Sequence, residues 1–136
     1  MLSMTKYPKQ YIDACRARAA AQVASYRKLA KAAKGGAALA AFEPVFYNNM
    51  VLILDAYFVH RARTLEGKDG NPLNEVRVIC NSIMQNNGLM GSEKSIKMNS
   101  TQSVLKYQVG DEIRVTEADY AALSKAFFAE IETKFS

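Results

Sequence analysis

Apolar side chains recur at intervals of three and four residues through most of this chain, and the interruptions coincide with glycine and proline. Between Pro8 and Lys34 one stripe holds Tyr11, Ile12, Cys15, Ala19, Val23, Tyr26, Leu29, Ala30 and Ala33, and Gly35-Gly36 ends the run. That spacing predicts a first helix over 8–34 with one face toward a core. A second face carries Lys9, Arg16, Arg27, Lys31 and Lys34, and a third is mostly alanine, at 14, 17, 21, 24 and 32. Small side chains let a neighbouring helix approach closely, although alanine is also the best plain helix former.

A second helix is predicted over 44–63, preceded by a short turn over 37–42. It is apolar nearly all round: Val45, Phe46, Met50, Val51, Leu52, Ile53, Leu54, Tyr57, Phe58 and Val59. Such a helix is buried on most sides. This short chain has few other elements to cover it, so a second copy is expected to help and a homodimer is predicted.

A third helix is predicted over 72–86 with Asn71 as its cap. Leu73, Val76, Ile79, Cys80, Ile83 and Met84 line one face; Asn74, Asn81 and Gln85 line the other. A fourth is predicted over 117–135, capped by Thr116 with Asp119 in the reciprocal position, its stripe being Tyr120, Leu123, Phe127, Phe128, Ile131 and Phe135. On this reading Pro8, Pro44 and Pro72 all stand where a helix begins.

Residues 92–115 lose the helical period. Ser95-Ile96-Lys97-Met98 and Glu112-Ile113-Arg114-Val115 alternate instead, as half-buried strands do. Strands over 95–98 and 112–115 are predicted to pair around a loop containing Val104-Leu105-Lys106-Tyr107, with a tight hairpin at Gly110-Asp111 as the competing register. The expected fold is mainly α: one domain over 1–136, a four-helix bundle-like packing with a short two-stranded antiparallel ribbon between helices three and four.

Composition changes this picture little. The length of 136 residues suits one domain, and 49% apolar with 23% charged residues excludes long disorder, collagen and a disulfide scaffold. The charge is uneven: residues 1–34 carry eight Lys or Arg and one Asp, a net of +7, against −2 for the remainder. No apolar stretch of signal-peptide length follows the N-terminus. The most apolar run, 44–59, is broken by Asp55 and falls short of the ~20 residues a span takes. Cys15 and Cys80 lack motif spacing and read as packed thiols of a cytoplasmic protein, a 15–80 disulfide being the alternative. No membrane partner is expected.

The densest polar cluster runs from His60 to Arg77. His60, Arg61, Arg63, Lys68, Asn71, Asn74 and Arg77 are the candidate ligand-binding residues, because cations beside the open N–H groups of a helix start suit a small anion. The bland alternative is a charged loop whose arginines pair with Glu66, Asp69 and Glu75. His60 is the only histidine, without a second ligand for a metal or a motif for a cofactor, so neither is expected. Asp55 on the apolar second helix needs a partner, with Arg77 or Lys125 within expected reach. Lys9, Arg16, Arg27, Lys31 and Lys34 could meet nucleic acid, but no aromatics interleave with them and no reading motif is present.

The stretches FEPVFYNNMVLILDAYFVHRARTLEGKDGNPLNEVRVICNSI and SVLKYQVGDEIRVTEADYAALSKAFFAEIE resemble small bacterial proteins of an uncharacterised family, over residue 42 to the end. The resemblance implies a bacterial cytosolic origin and brings no activity or site residues with it. The residues favour a non-enzymatic binding or interaction protein. An anionic-ligand binder or enzyme using the His60–Arg77 segment, and a nucleic-acid accessory protein working through the first helix, are the alternatives.

Overall fold

The computed structural model describes residues 3–136. Five helices follow one another: α1 (Lys9–Ala33), α2 (Ala37–Tyr57), the single turn α3 (Arg63–Glu66), α4 (Pro72–Gln85) and α5 (Glu117–Phe135). α2 packs against α1, α4 and α5, and α5 packs in turn against α1 and α4. The mainly helical, bundle-like architecture is thus the observed one.

The punctuation explains most boundaries. α1 starts directly after Pro8 and ends where Lys34 turns left-handed at φ 56°. The Asn71 side chain accepts from the N–H groups of Leu73 and Asn74, and Pro72 fills the first turn of α4. α5 begins with a complete capping box between Thr116 and Asp119.

Aromatic rings dominate the core between these helices. Phe58 meets Tyr7, Tyr11, Phe127 and Phe128, and Tyr47 meets Tyr26, Phe46 and Tyr120. Each fully buried large apolar side chain contributes about 1.5–3 kcal/mol by leaving water. The chain before α1 is drawn in by backbone bonds: Met4 N–H donates to His60 C=O, Ala62 N–H to Met4 C=O, and Tyr7 N–H to Phe135 C=O.

Several expectations need correction, among them Leu29 and Met84, placed on apolar faces but 63% and 69% exposed. Among the described residues no strand forms, and the predicted ribbon is absent. The alternation did mark burial, since Ile96, Ile113 and Val115 face inward. But the two segments find different backbone partners. Residues 110–113 bond to 88–90, and Lys97 N–H donates to Lys68 C=O.

Pro44 lies inside α2 rather than at its start. Its missing N–H leaves the Ala40 carbonyl without its helical donor, at an exposed end of the helix where water can serve. α2 also stops at Tyr57, so His60 and Arg63 are not on it. Its earlier start gives it 21 residues, long and apolar enough by length and composition to cross a membrane, while Tyr47, Met50, Val51 and Leu54 belong to the core. Finally, Asn74 is fully buried instead of lining an outer polar face.

Candidate functional site

The His60–Arg77 segment folds around one carboxylate. Glu66 ends α3 and is wholly withdrawn from solvent. Arg61 Nε donates to Glu66 Oε1 at 2.8 Å, Arg77 Nη2 to Oε1 at 2.6 Å, Arg77 Nε to Oε2 at 3.0 Å and Asn74 Nδ2 to Oε2 at 2.8 Å. Burial alone pushes the Glu66 carboxyl up. The Arg77 hydrogen bonds, the charges of Arg61 and Arg77 and the Asn74 amide outweigh it and hold the group below the usual carboxylate range.

The rest of the cluster is equally committed. Arg61, 3% exposed, also donates to the carbonyls of Phe58 and Leu73, and its guanidinium lies over the Phe127 ring. Asp55 finds its partner here, 2.9 Å from Arg61 Nη1, rather than in Arg77 or Lys125. That contact is an ion pair off the hydrogen-bond axis, so Asp55 Oδ1 counts among the buried oxygens without a directed bond. Asn71 Nδ2 and Lys134 Nζ both donate to the Glu66 carbonyl.

Of the seven candidate residues, the structure therefore brings Arg61, Asn71, Asn74 and Arg77 together on Glu66. His60, Arg63 and Lys68 are exposed and lie outside that network. The cleft beside His60 is lined by Tyr7, Tyr11, Ala56, Tyr57 and Val59, and includes neither Arg63 nor the asparagines. Among the described residues no group of three or more His, Cys, Asp or Glu could hold a metal ion.

Sequence reasoning missed a second buried carboxylate. Glu75 in the first turn of α4 takes Val104 N–H on Oε1 and Leu105 N–H on Oε2, each at 2.8 Å, and so fastens the 99–107 loop to the bundle. Burial raises its pKa, only partly countered by those N–H groups and by Lys106. The signal was indistinct: an acidic residue early in a helix looks like a dipole partner.

The cations of α1 are partly engaged. Lys9 pairs with Asp13, Arg16 with Asp13 and Glu132, and Arg27 with Glu117; among the described residues Lys31 and Lys34 make no ion pair. Arg16–Glu132 and Arg27–Glu117 also bridge α1 and α5 across a groove of about 530 Å³ floored by Ala19, Val23, Tyr120 and Phe128.

The outward face of α2 is different in kind. Tyr47, Met50, Val51 and Leu54 define the inward face. Opposite them, Ala38, Phe42, Val45, Asn49, Leu52 and Ala56 follow one another at steps of four and three. Phe42 is 48% exposed and Val45 50%. Ala38, Asn49 and Ala56 are exposed and Leu52 is half-buried. This stripe carries no charge, and Asn49 turns its amide onto the Val45 carbonyl of its own helix at 2.7 Å. No protein-family model, no curated protein and no solved structure matches the chain.

Proposed function

We propose that this protein is a non-catalytic interaction module whose binding surface is the outward face of α2. The observation that carries the reading is the uncharged stripe Ala38–Phe42–Val45–Asn49–Leu52–Ala56 on a fold whose core is already closed on the opposite side of the same helix. Large side chains such as Phe42 and Val45 left half exposed along an uncharged helix face suit a place where another surface docks. The buried clustering of Arg61, Asn74 and Arg77 on Glu66 supports a structural use for the polar segment that competes with it for function.

A photo-reactive side chain placed at Val45 in the producing cell tests the reading. It should form a protein adduct, whereas the same probe at the exposed Lys28 should not. Equal labelling at the two positions, or no adduct at Val45, would refute it.

A further inference from the structure

We infer that the occupant of the α2 face is a second copy of this chain, seated antiparallel across a two-fold axis at Asn49. The inference rests on the reading of α2 as the docking face and names its partner. The stripe is self-complementary in size. An isologous contact sets each residue against the one equally far on the other side of the axis. Phe42 and Ala56 each lie seven residues from Asn49, roughly 10 Å along the helix. The exposed phenyl ring of one copy therefore meets the alanine of the other.

That alanine is a wall of a ready recess. Ala56, Tyr57, Tyr11 and Val59, with His60 at its edge, line a largely apolar cleft of about 520 Å³, and the Tyr11 hydroxyl is tied to the Tyr57 carbonyl at 2.5 Å. Val45 meets Ile53 and Leu52 in the same register, and Asn49 meets Asn49. The two amides can exchange hydrogen bonds there through the second N–H and the C=O that the bond to the Val45 carbonyl leaves over. A parallel pairing would instead set Phe42 against Phe42 and leave both recesses open.

Charge also favours a second copy over a lipid surface. Helices that lie on membranes carry Lys and Arg along the border of their apolar face. α2 has none over 37–57; its only charges are Glu43 and Asp55. At its Phe42 end the stripe borders α1, where Phe42 lies against Tyr26 and shares a groove with Gln22, Ser25 and Leu29, none of them charged.

Cysteine cross-linking reads the register directly. Cys15 and Cys80 are free and buried, and burial raises both thiol pKa values, so they stay out of the reaction. Under mild oxidation at tens of micromolar, Asn49→Cys should give a covalent dimer, because facing Cβ atoms on the axis come within disulfide reach. A mixture of Phe42→Cys and Ala56→Cys should cross-link between the two variants in large excess over either with itself. Self-cross-linking of Phe42→Cys would overturn the antiparallel register. A wild-type monomer by sedimentation at 50 µM-scale loading, about the range where weak dimers populate, would overturn self-pairing altogether. If the Val45 probe still captures a different protein, or the chain floats with anionic phosphatidylserine vesicles, the α2 face stands and the second copy does not.

Discussion

Arg61 and Glu66 stand five residues apart and form an ion pair in which neither side chain is reached by solvent. The pair joins the turn after α2 to α3, and Arg77 completes it from α4. Glu66→Gln should therefore destabilise the fold by about 3–5 kcal/mol, because it leaves two guanidinium groups facing a neutral amide in a buried site. Urea unfolding measures this. A loss under 1 kcal/mol, the order of an exposed pair, would mean that the network is ornamental.

Acid should expose the same pair. The Glu66 pKa is lowered in the folded chain, so its contribution is present above the ordinary carboxylate value and lost as pH falls through the folded one. Wild-type urea midpoints should fall below pH ~4, the ordinary range of glutamate, and Glu66→Gln should show a flatter fall. Parallel curves would contradict this.

Glu75 carries the opposite sign. Its folded pKa is raised, so its contribution is full below the ordinary value and lost as pH rises through the folded one. Glu75→Ala removes both acceptors of Val104 and Leu105 N–H. Hydrogen exchange at those two amides should accelerate while the protection of α4 and α5 is kept. Unchanged protection at 104 and 105 would show that the loop is held by other means.

Two glycines separate steric from conformational cost. Gly70 has φ +85°, and an added Cβ would lie 2.5 Å from the Lys97 carbonyl oxygen; Gly88 has φ +76° and open space. Gly88→Ala should cost only the left-handed penalty of about 1–2 kcal/mol. Gly70→Ala should cost clearly more, since backbone must move. Thermal unfolding of the two variants compares them, and equal losses would count against the close approach of 70 and 97.

Much of this fold was legible. The α5 boundaries, its capping box and the Asn71 cap followed from residues that act on their own neighbours in sequence. What escaped depends on distant partners. The alternation at 95–98 reported which side chains are buried, but the backbone partners are Lys68 and, for 112–113, residues 88–90. The end of α2 at Tyr57 follows no breaker residue; it coincides with Met4 pairing to His60 and Ala62. The arginines, the asparagines and Glu66 could be placed in one cluster from the sequence, but not the fact that Glu66 sits at its centre. The excess apolarity of α2 was legible, and the part of it that the fold leaves exposed includes Phe42, Val45 and Ala56.

The two faces of α2 give the most direct test. Leu54 is fully buried and Val45 is half exposed on the opposite side. Sedimentation velocity with circular dichroism should be run on Leu54→Asp and Val45→Asp beside the wild type. Leu54→Asp should unfold, because an unpaired buried carboxylate costs several kcal/mol, on the order of the whole stability. Val45→Asp should keep its helical spectrum and still melt cooperatively, and should sediment as a monomer at concentrations where the wild type is expected to be a dimer. A Val45→Asp protein that is folded and still dimeric would contradict the central claim that α2 presents the surface through which this protein associates.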